Sequence, residues 1–142
     1  MKVYISGKIG SEVITPEIRD KFARAEKMLK AKGFGVFNPV NEKWQKTLRR
    51  EYEIDKYVKS PWLSGEFPDF YTYCLLRDLM ILAQADAVYF LDDWDSSNGA
   101  GTEHSFAIAC GIKMFWQSEA DARIYWDHNP GATSWKDACL SL

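Results

Sequence analysis

Ala87-Val88-Tyr89-Phe90-Leu91, followed by Asp92 to Gly101 and then by Thr102-Glu103-His104-Ser105-Phe106-Ala107, is the stretch whose reading decides the fold. Its five apolar, β-branched or aromatic residues stop abruptly at Asp92-Asp93, as a strand covered on both faces does in a parallel sheet. Ser96-Ser97-Asn98-Gly99-Ala100-Gly101 then reads as a polar loop offering hydroxyls and backbone N–H groups, with glycines that let a ligand approach the chain closely. A helix follows, with Thr102 as its cap and the Glu103 carboxylate in its first turn. Ligands of parallel sheets bind where strands end and helices begin, so Glu103 is the first candidate for chemistry.

The flanking chain completes the pattern. Lys2 to Ser6 is a first strand ended by Gly7, and alternation puts Val3 and Ile5 on one face with Tyr4 and Ser6 on the other. Gly7 to Ser11 is a flexible loop at that strand's carboxyl end. Thr15 caps a helix that Pro16 opens and that runs to about Lys32, with Ile18, Phe22, Ala25 and Leu29 as its apolar stripe and Gly33 as its stop. Phe34 to Asn38 is a second strand, giving a right-handed parallel βαβ unit. Tyr71 to Ala83 is a helix with Leu75, Leu76, Leu79, Leu82 and Ala83 along one stripe, and Asp78 sits at the edge of that stripe, able to look toward the strand ends. Lys113 to Trp116 makes a last short strand. Periodicity thus predicts a parallel α/β sheet flanked by helices.

Two segments carry more than one reading. Within residues 40–70, Glu42 to Tyr57 is a charged stretch of helical character, whereas Lys59 to Asp69 contains Pro61, Gly65 and Pro68 and reads as loop. Trp44, Tyr52, Tyr57, Trp62, Phe67 and Phe70 fall in this excursion. They suit either a helical segment packing its aromatics on the core or a substrate lid. The C-terminal tail, residues 117–142, carries Trp126, Trp135 and a turn at Asn129-Pro130-Gly131. It either packs across its own sheet edge or reaches over the Ser97 loop of a second copy in an isologous dimer.

Composition excludes several classes. A chain of 142 residues is expected to form one domain. With 18 Lys+Arg against 20 Asp+Glu it has a formal charge of −2, so it lacks the basic face that nucleic-acid polymers or membrane surfaces require. Cys74, Cys110 and Cys139 are widely spaced and read as reduced thiols of a cytoplasmic protein. Neither they nor His104 and His128 have metal-ligand spacing, so no metal is expected, nor any cofactor. His104 is expected to point away from the sheet. The first strand starts at Lys2 and no apolar run reaches membrane length, so neither a signal peptide nor a membrane span is expected.

Four motifs taken together are more specific: Val3-Tyr4-Ile5-x-Gly7, Tyr73-x-x-x-Arg77-Asp78, Asp86-Ala87-Val88-Tyr89 and Ser97-x-Gly99-x-Gly101-x-Glu103. Their order resembles the nucleoside 2-deoxyribosyltransferase family and its relatives, the 2′-deoxynucleoside 5′-monophosphate N-hydrolases, over Lys2 to Trp116, with residues 40–70 poorly matched. The resemblance implies a flavodoxin-like (Rossmann-like) parallel sheet flanked by helices in a single domain. It implies that Glu103 is a nucleophile toward the anomeric carbon of deoxyribose, Asp78 the acid that protonates the leaving base, and Tyr4 the group that orients Glu103. The two carboxyls are then expected to have pKa values pushed apart. Gly7, Lys8, Ser97, Gly99 and Gly101 are implied to bind substrate. Ser97 stands where the hydrolases hold the 5′-phosphate and the transferases tend to have aspartate. The hydrolases' first-loop arginine is replaced here by Gly10. The expected activity is cleavage of the N-glycosidic bond of a 2′-deoxynucleoside or its 5′-monophosphate, with release of the base to water. Base exchange is the close alternative, and a non-catalytic nucleotide-binding or sensing domain the alternative of another class. The expected partner is this small molecule and no nucleic-acid polymer, and the expected assembly a homo-oligomer.

Overall fold

Alternation along two neighbouring strands builds both halves of the core. In the computed structural model, which describes residues 1–9, 13–54, 57–59, 62 and 64–142 with backbone alone at 57–59 and 64, β1 (Lys2–Ser6) lies parallel to β5 (Ala87–Phe90) with Val3 opposite Ala87 and Ile5 opposite Tyr89. Val3, Ile5, Ala87 and Tyr89 face Phe22, Ala25 and Leu29 of α1 (Pro16–Ala31). On the other face Tyr4, Val88 and Phe90 meet Leu82 of α3 (Phe70–Leu82), Ala100 and Ala107 of α4 (Asn98–Cys110), and Ala122 of α5 (Glu119–Tyr125). β2 (Gly35–Phe37) and β6 (Lys113–Trp116) complete a four-stranded parallel sheet in the order β2-β1-β5-β6. This is a single-domain, flavodoxin-like α/β fold. The α1 entry follows the predicted chemistry, since the Thr15 hydroxyl accepts from the Ile18 N–H at 3.3 Å and Pro16 occupies the first turn.

The segment after β5 differs from expectation. Asn98 to Gly101 is not loop but the first turn of α4, and the cap is Ser97, whose Oγ accepts from the Ala100 N–H at 3.2 Å. Thr102 is inside the helix and donates back to the Asn98 carbonyl at 2.9 Å. A serine cap and the buried Ala100 outweigh the weak helix propensity of Gly99 and Gly101. Glu103 therefore lies in the second turn, on a buried stripe with Ala100, His104 and Ala107, whereas Cys110 is exposed. His104 corrects a second expectation. It points inward, its ring 4.5 Å from that of Trp94 and 4.8 Å from that of Tyr125, because the tail supplies an aromatic wall on that side. On α3 the buried positions are Tyr73, Asp78 and Leu82, and Leu76 and Ala83 are exposed instead; α2 (Glu42–Ile54) packs against α3 and draws that face inward.

The excursion consists of α2 and a small antiparallel hairpin, β3 (Tyr57–Lys59) and β4 (Ser64–Glu66). Most of its described aromatics pack inward: Trp44 stands edge-on to Phe37 at 5.3 Å, and Tyr52 lies 5.2 Å from Tyr73. Trp62, by contrast, is 90% exposed. Pro61, Gly10 and Ser11, on which loop expectations rested, lie outside the described residues. The tail packs across its own sheet edge. Cys139 bridges Trp116 in parallel, the Leu140 N–H donates to the Trp116 carbonyl at 2.9 Å, and Asn129 donates to the Met114 carbonyl at 3.0 Å. This covers an edge strand that would otherwise present unpaired backbone. Among the described residues no helix is long and apolar enough to cross a membrane.

Gly7 ends β1 under tight packing, where an added Cβ would stand 2.7 Å from Cδ1 of Leu91. Gly7→Ala is expected to lower unfolding free energy by about 1–3 kcal/mol, read by chemical denaturation. A change within about 0.5 kcal/mol would contradict this packing.

Candidate active site

The carboxyl end of β1 and the helices α2, α3 and α4 contribute residues to a cavity of about 810 Å³. Tyr4, Asp78 and Glu103 line it, and so do Gly7, Lys8, Ser97 and Gly99. Of the residues expected to bind substrate, Gly101 does not line the cavity, although Gly99 of the same helical turn does.

Glu103 is 7% exposed, and the Ser6 hydroxyl donates to its Oε1 at 2.9 Å. The Tyr4 hydroxyl hydrogen-bonds the same carboxylate. Burial pushes the Glu103 carboxyl up to about 8; the Tyr4 and Ser6 hydroxyls oppose this, and the charge of Asp78 adds to it. Asp78 is 9% exposed, and its Oδ1 accepts from the Trp44 indole N–H at 3.0 Å. Burial raises its carboxyl to about 7 against the pull of Trp44 and Arg77. Tyr4 is raised well above its ordinary value, first by burial and then by the two carboxylates, so it stays protonated and donates.

The two carboxyls are therefore not pushed apart as expected: burial raises both toward neutrality. Each charge disfavours ionisation of the other, so near neutral pH the two carboxyls compete for a proton.

The cavity also holds cationic and N–H groups, beside the Asp69 carboxylate that caps α3. Lys8 and Arg49 line the cavity, and the first turn of α4 leaves the Asn98 and Gly99 N–H groups without partners inside the helix. The hydroxyl of Ser97 is occupied as the helix cap. The first loop is fastened from below: the Lys8 N–H donates to Asp93 at 3.0 Å, and Lys21 bonds both Asp93 and the Lys8 carbonyl. Among the described residues no three His, Cys, Asp or Glu side chains come together as a metal site.

Two residues escaped the sequence reading. Ser6 had a signal, since alternation puts it on the face of Tyr4 at the strand's end. Trp44 had none, because a tryptophan in a polar helix does not disclose which carboxylate it will meet.

The family described as a domain of unknown function (DUF4406) has a model that matches residues 1–116. Among solved structures, the 2-deoxyribosyltransferase of the psychrotolerant bacterium Bacillus psychrosaccharolyticus is similar at 20% identity, over 82% of this chain and 71% of that one, with a TM-score of 0.50. A conserved protein from Enterococcus faecalis V583 is similar at 17% identity, over 90% of this chain and 77% of that one, with a TM-score of 0.48. No curated protein matches the chain. At these identities the likeness is one of fold.

Because the folded-state value of Glu103 is raised to about 8, its burial weakens the fold progressively as pH rises from the unfolded value, about 4.3, through the folded one. Glu103→Gln removes that penalty. The variant is expected to melt above the parent by several degrees at pH 9, on the order of a few kcal/mol, with the gain shrinking toward pH 5. A difference independent of pH would contradict the burial of this carboxyl.

Proposed function

The chain belongs to the DUF4406 family, and from that premise and the geometry of its cavity we propose that it cleaves the N-glycosidic bond of 2′-deoxynucleosides or their 5′-monophosphates through a glycosyl ester on Glu103. The observation that carries the reading is a buried carboxylate held by the hydroxyls of Ser6 and Tyr4 in the same cavity as a second buried carboxyl, Asp78. Such a pair suits a reaction whose transition state is an oxocarbenium ion with a carboxylate beside it.

In this reading substrate binding shifts the shared proton to Asp78. Glu103 then attacks the anomeric carbon, the bond electrons leave with the base, and Asp78 delivers its proton to the base nitrogen. Tyr4 and Ser6 hold the carboxylate in line throughout. In the second step Asp78, now ionised, takes a proton from water as the water oxygen attacks the anomeric carbon, and the Glu103 carboxylate is released. The substrate has no 2′-hydroxyl to withdraw electrons from the cation, so few groups are needed to reach it. Lys8 and Arg49 and the N–H groups of Asn98 and Gly99 line the cavity and in this reading meet the 5′-phosphate. Ser97 contributes by shaping that turn.

Base exchange is the second reading, supported by the activity of the deoxyribosyltransferase that shares the fold. Both readings pass through the same ester and differ only in the acceptor. Among the described residues none numbered above 103 lines the cavity.

Release of free base from a panel of deoxynucleosides and their 5′-monophosphates, with and without an added acceptor base, tests the reading. Glu103→Gln is expected to lower kcat/KM at least a thousandfold. Retention of more than about a tenth, a loss under about 1.4 kcal/mol, would refute the nucleophile.

The active form carries one proton on the pair. Activity is therefore expected to fall below about 7, where both carboxyls are protonated, and above about 8, where both are ionised. The bell of kcat/KM against pH has its maximum between these limbs, and a profile flat from pH 5 to about pH 9 would contradict the shared proton.

A further inference from the structure

α2 lies outside the motifs that carry the functional reading, yet it reaches the centre of the site through one side chain. Trp44, in the first turn of α2, donates its indole N–H to Asp78 Oδ1 at 3.0 Å. Its ring is fixed edge-on against Phe37 at 5.3 Å, the Arg77 guanidinium lies 5.5 Å from its centre, and its backbone N–H is capped by the Asn41 side chain at 3.2 Å. Arg77 in turn pairs with Glu51 of α2 and donates to the Tyr73 hydroxyl at 2.5 Å. Two polar links, Trp44–Asp78 and Arg77–Glu51, thus clamp α2 onto α3 on either side of the carboxyl.

We propose that Trp44 is the positioning residue of Asp78: its indole N–H occupies Oδ1 and so confines the transferable proton to Oδ2, the oxygen that gives it to the leaving base. The proposal rests on the acid role assigned to Asp78 above. A carboxyl oxygen that accepts an N–H bond is a poor place for the acid proton, because the two hydrogens would face one another. With Oδ1 engaged, one oxygen remains to act. An indole N–H is a neutral donor that cannot take the proton away, so it orients the group without competing for its chemistry. The bond also favours the ionised form, which makes Asp78 a stronger acid toward the leaving base. Among the described residues, the titratable or charged groups around Asp78 or lining the cavity with it include Glu103 of α4, Tyr4 of β1, Cys74 and Arg77 of α3, Arg49 of α2, Lys8 and Asp69. None of these replaces the Trp44 donor in the hydrogen bond to Oδ1.

Trp44→Phe keeps an aromatic ring and deletes the donor. Two readouts are expected to move. The Asp78 carboxyl, followed by ¹³C NMR in the substrate-free protein, should titrate about one pH unit higher, the equivalent of one lost hydrogen bond. In turnover kcat should fall about tenfold with KM changed less than about twofold, and the lower limb of the pH profile should move up with the NMR midpoint. An Asp78 midpoint within about 0.3 units of the parent would overturn the proposal. If Trp44→Phe does not fold, benzothienylalanine at position 44 removes the N–H at constant ring size, and the same two readouts decide. Asp78→Asn separates this proposal from the reading beneath it. Asp78→Asn should slow substrates with poor leaving groups most. A uniform loss would remove the acid role even where Trp44→Phe shifts the NMR midpoint, whereas a selective loss with an unmoved midpoint would remove Trp44 alone.

Discussion

A carboxylate buried at the end of a parallel sheet is the constraint on which the site depends. Glu103 sits where apolar packing is otherwise continuous, between Ala100 and Ala107 on the covered face of α4. Left unpartnered there it would be strongly destabilising. Ser6 and Tyr4 make the position tolerable, and both are furnished by β1, two residues apart on one face. The parallel pairing of β1 with β5 puts Ser6 opposite Phe90 at the very end of the ladder, where α4 enters after a short turn. Sheet register and site geometry are therefore one fact. A shift of one residue in β1 would turn both hydroxyls to the α1 face.

The same constraint explains what was legible from residues alone. The strands at Lys2 and Ala87 showed themselves by apolar runs ended at Gly7 and Asp92, and the α1 entry by Thr15-Pro16. The cluster of Tyr4, Asp78 and Glu103 was legible through spacing against a known family, since each falls just where a strand or helix meets the cavity. Local helix propensity misled at Asn98 to Gly101: the Ser97 cap is a local bond, but the burial of Ala100 that helps hold two glycines in the helix is a tertiary fact. His104 misled for a related reason. Its surroundings are made by Tyr125 and Trp94, far apart in sequence, and the apolar wall they form cannot be read from the helix that carries it.

The excursion and the tail illustrate two uses of chain that lies outside the sheet. Cys139 and Leu140 pair with the β6 edge and the Tyr89 hydroxyl donates to the Leu140 carbonyl at 2.6 Å, so the tail closes the fold. The excursion instead faces the cavity. Gln45 and Arg49 line it from α2, and Trp44 reaches Asp78 behind it. α2 thus lines the cavity as well as packing on the core.

The central claim is that a covalent bond forms between Glu103 and the sugar. Acid quenching of the wild-type protein during turnover of a 2′-deoxynucleoside or its 5′-monophosphate, followed by peptide mass mapping, tests it most directly. The account predicts a peptide containing Glu103 that carries the mass of one deoxyribosyl group, phosphorylated when the substrate was, and that loses it on standing in neutral buffer. Steady release of free base with no adduct on Glu103, or with the adduct on Asp78, would contradict it.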